Sequence, residues 1–281
     1  MSELSFFLLY IAILTLPGLV LTGFYKARPD PFLTTVSASY ALFSLAFICA
    51  NHYSVSAGTF ITAIAGVLLI AVICLAWRFR EIGNRWPRFN QRVLTPIVAI
   101  SVLSAIYQLI FGSFTEVPAD LFTHLERYQS SLRQLNRDSL GPAFSWQALL
   151  SQKSGVFYYL LAITALASDA SAETVITVVD YCNRTLLLIA VFFFSRGLFK
   201  KSPQATAIAG LTVLLLAAHM GINVFAYVRY YTLAPAMLNM VIYLAAVSVF
   251  LRVIAFPLDR STLIQYFFIL LLVAAAASIH V

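Results

Sequence analysis

Apolar blocks recur along the whole chain, among them 63–77, 186–194 and 266–277, and short polar or basic stretches separate them. Blocks of roughly 17 to 25 apolar residues are long enough to cross a bilayer as helices. Read in this way, the chain predicts spans over 5–24, 34–50, 58–77, 94–112, 172–195, 204–221, 232–251 and 262–280. The fold expected is all-α: a polytopic transmembrane helical bundle of these eight spans. The first block is no cleavable signal peptide, because Met-Ser-Glu-Leu-Ser carries no positive charge and no small-residue cleavage site precedes Phe24. No soluble domain, low-complexity linker or short-period repeat interrupts this plan.

Composition excludes a soluble globular protein. Of the 281 residues 61% are hydrophobic and 10% charged, where a soluble domain carries about a quarter charged. The mean hydropathy is +0.89. Cys49, Cys74 and Cys182 all lie inside apolar blocks without the short spacing of a metal or redox motif, so no disulfide, zinc or redox role is assigned to them. The net charge of +7 does not indicate nucleic acid, because the basic residues cluster between apolar blocks. That pattern is a topology signal.

The segment 155–168 is apolar but only 14 residues long, a length that favours an interfacial or re-entrant piece over a full span. With it left out of the span count, Lys26, Arg28, Arg78, Arg80, Arg85, Arg88, Arg92, Arg196, Lys200, Lys201, Arg252 and Arg260 face one side. Arg127, Arg133, Arg137, Lys153 and Arg229 face the other, with Glu3, Glu116, Asp120, Glu126, Asp138, Asp169 and Glu173. The positive-inside rule makes the first side cytoplasmic and both termini extracytoplasmic. The last apolar block runs to Val281 without a polar tail, which leads us to expect the N-terminal part of a longer protein. Two units follow from the loop positions: an N-terminal three-helix unit over 1–93, and a unit over 94–281 that carries an outer loop over 113–171.

That outer connection is far longer than the others, and long loops are usually functional or disordered. This one predicts order. From Pro118, a good first helical residue, Leu121, Phe122, Leu125, Tyr128, Leu132 and Leu135 fall on one stripe at helical spacing. The expectation is an amphipathic helix lying on the outer membrane surface. Asp120, His124 and Arg127 project within about 60° of one another on a flank of the stripe. Asp120 falls in the first turn, where the helix dipole favours a carboxylate, and Glu116 lies just before it. A capping acid on a solvated face would look the same; the placement of the cluster in the one long outer loop favours function.

The run Pro118-Ala-Asp120-Leu-Phe-Thr-His124-Leu-Glu126-Arg127 resembles the first extracytoplasmic loop of GT-C-type glycosyltransferases. The short aromatic segment Phe157-Tyr-Tyr-Leu-Leu and a helix closing in Phe194-Ser-Arg196-Gly-Leu-Phe-Lys-Lys are similar to that family's second loop-to-helix unit. Tyr227-Val-Arg229-Tyr230-Tyr231 stands where such enzymes place an outer loop near the donor. The similarity covers 94–281. Three helices precede the loop-bearing unit here, and the later acidic motif that many members carry is not evident.

The resemblance implies a plasma-membrane enzyme that moves a sugar from a polyprenyl-phosphate carrier to a polysaccharide, a lipid-linked glycan or a protein. Such transfer needs a base for the acceptor hydroxyl and positive charge, or a metal, for the departing phosphate. Asp120 is the candidate base. Glu116, His124 and Glu126 could orient it or share a divalent cation, and no metal is assigned. Arg127 completes the cluster as a cation for the substrate. Arg229, with Tyr230, suits a phosphate or a sugar, and interfacial anchoring explains it equally well.

Asp180 and Arg184 are the charges that lie well inside a span, roughly 12 and 18 Å into a hydrocarbon core about 30 Å thick. Their i, i+4 spacing suits a direct pair. Charges at such depth are functional candidates: a lining for a lipid-carrier headgroup, or a neutral interhelical clamp. A transporter or lipid-carrier flippase would use the same pair as its coupling site. A non-catalytic subunit of a membrane complex is the third reading.

Overall fold

The computed structural model describes residues 2–23, 31–82, 91–111, 118–141, 155–219, 235–254 and Leu272. Among them every regular element is a helix: α1 (Ser2–Gly23), α2 (Pro31–His52), α3 (Ala57–Ile82), α4 (Gln91–Phe111), α5 (Pro118–Leu135), α6 (Val156–Ser168), α7 (Ala172–Leu198), α8 (Ala205–His219) and α9 (Pro235–Ile254). Helices α1, α2, α3 and α7 are long and apolar enough to cross a membrane; α4, α6, α8 and α9 contain shorter apolar stretches. This is a helical membrane protein. The expected span over 262–280 lies outside the described residues except for Leu272, which is helical and buried.

Helix α7 is the axis of the bundle and packs against α1, α2, α4, α8 and α9. Its start is set locally: the Ser171 Oγ accepts the Thr174 N–H at 3.2 Å, an N-cap that satisfies one orphan donor of the first turn. Glu173 follows in that turn and Arg196 stands in the last, each on the favourable end of the helix dipole. The most apolar stretch of α7 is 72% buried, whereas that of α3 is 11% buried. Helix α3 therefore presents Val67, Leu69, Ile70, Ile73 and Trp77 outward, as a helix at the lipid boundary does.

Lipid is as apolar as leucine, so helix association in a membrane depends on close backbone approach and interhelical hydrogen bonds. Helices α1 and α2 show both. The Gly18 N–H donates to Ser39 Oγ at 2.7 Å, and a Cβ at Gly18 would collide with the Thr35 carbonyl oxygen. Ser37, Ala38 and Ala41 line the buried side of α2. Helix α1 also packs on α3, α6 and α7, and α2 on α9, so among the described residues the first three helices share one core with the later ones.

The helix ends sort into two groups. Glu3 of α1, Gln108 of α4 and Thr177 of α7 line one shallow groove. The α2–α3 turn meets the residues that follow α5: Asn51 Nδ2 donates to the Leu140 carbonyl at 2.8 Å, and Gly58 N–H donates to Asp138 Oδ1 at 2.7 Å. Far from this end, the ring of Phe32 at the start of α2 packs in a tilted contact on that of Phe193 near the end of α7, beside Arg196. The α5 end thus gathers the starts of α1, α3 and α7 and the end of α2, the alternation expected of successive spans.

Expected to be interfacial or re-entrant, the segment 155–168 departs from the first of these readings. It is a helix, α6, in which every residue from Val156 to Ala165 is buried, against α1 and α5. At about 1.5 Å per residue it is too short to span, and its largely apolar surface is met by protein as far as Ala165, with Leu166 and Ala167 exposed at its end. Gly155 enters it and Asp169 leaves it with left-handed backbone. The Ala170 N–H returns to the Ala165 carbonyl, the closing bond of a Schellman-type helix end.

Candidate functional site

Helix α5 begins at Pro118 as its pattern requires, and its apolar stripe is real. Tyr128 and Leu135 are buried, and Leu125 and Leu132 pack against the core. The expectation of a helix lying on the outer membrane surface is corrected here: from Leu125 onward its stripe instead lies on α6 and the core. Burying it on protein fixes the helix axially, so the flank that carries His124 and Arg127 turns toward α6.

Tyr158 receives that flank. Its hydroxyl lies 2.5 Å from His124 Nδ1, and the two rings stack with centroids 6.0 Å apart at 25°. Arg127 approaches the same hydroxyl closely enough to donate a hydrogen bond. Burial raises the Tyr158 pKa above the usual phenol value, and the hydrogen bond and charge of Arg127 act against that rise. Next to it, the Tyr159 hydroxyl donates to Gln134 Oε1 while its ring lies 4.6 Å from that of Phe47. Burial pushes the Tyr159 phenol up to about 12.

The other end of α5 is held from two sides. Asp138, in left-handed backbone with φ 54°, accepts the Gly58 N–H with its carboxylate and the Ala57 N–H with its carbonyl, the latter at 3.3 Å. It caps α3 from a different element, with Ser56 as the local cap. Helix α5 is thereby pinned at both halves.

The buried pair forms as its spacing predicts. Arg184 Nη2 lies 2.6 Å from Asp180 Oδ2, with 2% and 0% of the two side chains exposed. The guanidinium stacks over the Tyr107 ring of α4, 4.5 Å from its centroid. One residue earlier on α7, Asn183 Oδ1 accepts the Tyr10 hydroxyl of α1 at 2.9 Å. Tyr181 Oη donates to the Ser101 carbonyl, and Gln108 Nε2 to the Thr177 carbonyl. These bonds tie α1, α7 and α4 into one polar seam, and Arg184 Nε and Nη1 have no hydrogen-bond partner among the described residues.

Of the residues singled out from the sequence, His124 and Arg127 converge, and Asp180 and Arg184 pair. Glu126 is exposed, about 200° around α5 from His124. Asp120 belongs to α5, but its side chain lies outside the described residues, as do Glu116, Arg229 and Tyr230. No three His, Cys, Asp or Glu side chains come together as a metal site among the described residues; of the groups expected to share a divalent cation, His124 and Glu126 point to different sides of α5, and Glu116 and the Asp120 side chain lie outside the described residues. The sequence pattern does not identify Tyr158 and Tyr107 as partners of these residues. The signal was present in the aromatic start of α6, yet it reads as interfacial when the helix above it is not placed.

No protein-family model, curated protein or solved structure matches this chain.

Proposed function

We propose that this protein is a membrane glycosyltransferase of the GT-C kind, which moves a sugar from a polyprenyl-phosphate carrier to an extracytoplasmic polysaccharide, lipid-linked glycan or protein. The observation that supports this reading is the docking of the α5 flank on α6 through His124, Arg127 and Tyr158, at the end of the bundle where the helix starts and ends gather. An ordered helix that holds cationic and hydrogen-bonding groups there meets a carrier where its sugar-phosphate bond emerges from the apolar layer. In this reading Asp120 is the base, Glu116 its neighbour, and Arg127 and His124 face the departing phosphate. Arg229 and Tyr230 stand beside the donor. The α5 end is extracytoplasmic, with eight spans in the plasma membrane and both termini outside. A cysteine introduced at Arg85 should then resist an impermeant thiol reagent in intact cells, and one at Ser130 should react; the reverse labelling rejects this orientation.

The decisive assay uses the full-length protein in vesicles that contain a polyprenyl-phosphate hexose, with native membranes as the acceptor source. Asp120→Asn keeps the shape and removes the base, so transfer should fall about a hundredfold or more while insertion is unchanged. Near-normal transfer by a well-inserted variant rejects Asp120 and passes the role to Glu116 or Glu126. A second reading, a transporter or lipid-carrier flippase, draws on the polar seam around Asp180 and Arg184. Carrier movement between leaflets without sugar transfer, lost on changing the pair, would favour it.

A further inference from the structure

We propose that Tyr158 is a positioning residue: it holds the His124 imidazole in the tautomer with its proton on Nε2, so that His124 serves the α5 site as a hydrogen-bond donor and not as a base or an Nδ1 metal ligand. Its catalytic role rests on the glycosyl-transfer reading; the tautomer does not.

Proton counting on the Tyr158 hydroxyl leads to this assignment. The side chain is 1% exposed, and a buried hydroxyl proton needs an acceptor. Arg127 has only donors to offer, so it can satisfy the oxygen but not the hydrogen. Among the described residues, the acceptor in contact with that hydroxyl is His124 Nδ1, at 2.5 Å. A neutral imidazole that accepts at Nδ1 carries its hydrogen on Nε2. Burial keeps the phenol protonated across the neutral range, which preserves this direction of donation.

The chemical consequence concerns what the flank can bind. His124 Nε2–H and the Arg127 guanidinium lie one helical turn apart and both are donors, which suits this flank to anionic oxygen, whether of the chain itself or of a ligand, rather than to a cation. A divalent cation would meet a guanidinium beside it and find Nδ1 already engaged. His124 therefore supplies no Nδ1 ligand to a metal, and it protects developing negative charge rather than removing a proton.

The test is 15N NMR of the full-length protein, labelled at histidine, in detergent micelles. The His124 signals are identified by their loss in His124→Gln. The neutral ring should show an accepting Nδ1 and a protonated Nε2, and Tyr158→Phe, which keeps the ring packing, should convert this into a tautomer mixture. The opposite tautomer in the native protein, or an unchanged spectrum in Tyr158→Phe, overturns the proposal. In the transfer assay His124→Gln, whose amide reaches the Nε2 position, should retain about fivefold or more activity over His124→Asn, the scale of one hydrogen bond. Equal activities alongside the expected tautomer would overturn the donor role and leave the Tyr158 assignment standing.

Discussion

Two polar clusters interrupt this apolar chain, and they are built in opposite ways. Asp180 and Arg184 sit four residues apart on one helix and pair within it. His124 and Tyr158 lie 34 residues apart on two helices and meet only because α5 docks on α6. The first cluster is a property of helical geometry, present as soon as α7 forms. The second is a property of packing, and it disappears if α5 lifts away. A charge pair of the first kind can survive large rearrangements; a site of the second kind can be opened and closed by moving one element.

The largest expected effect separates the two clusters most sharply. Arg184→Leu leaves Asp180 buried beside an apolar neighbour and should destabilise the protein by about 3–5 kcal/mol, whereas leucine at both positions should cost much less. Thermal unfolding in detergent measures both variants, and equal losses would show that the pair is no local unit. Neither variant should disturb the His124 resonance if the two clusters are as independent as their construction implies.

A smaller effect should reach both clusters at once. Helix α1 packs on α6 and α7, and its approach to α2 has no space for a side chain at Gly18. Gly18→Ala should therefore cost about 1–3 kcal/mol, the range for overpacking a tight contact, with Tyr10, which bonds to Asn183, displaced along with the helix. Stability unchanged within a few tenths of a kcal/mol would mean that α1 is not the shared support.

The smallest effect should be confined to the α5 side. Asp138→Ala removes the carboxylate that caps α3 and a residue type tolerant of left-handed backbone. The cost should be about 1 kcal/mol, typical of a lost N-cap. Hydrogen exchange should quicken over 118–141 while α7 keeps its protection. Faster exchange in α7 would join what the comparison separates.

Much of the plan was legible before any tertiary contact was known. The blocks 5–24, 34–50, 58–77, 94–112 and 172–195 became α1, α2, α3, α4 and α7 within a few residues at each boundary, because a run of apolar side chains must satisfy its own backbone as a helix in lipid. Helix α5 was legible from Pro118 and its stripe, and the Asp180–Arg184 pair from its spacing. Less legible was the destination of an apolar face. The α5 stripe reads as lying on the membrane and the segment 155–168 as interfacial or re-entrant, whereas Leu125 to Leu135 of the stripe pack on the core and 156–165 are buried in protein.

The division follows from the range of the forces involved. Helix formation, capping by Ser171 and the i, i+4 ion pair act within a few residues, so the sequence alone determines them. It also determines that the chain is apolar enough for a membrane, since hydropathy is a sum over residues. Which partner covers an apolar surface depends on a choice between lipid and protein that are nearly equal as solvents for leucine. Only the tertiary structure decides that choice, through close approach at Gly18, the caps contributed by Asp138 and the meeting of His124 with Tyr158.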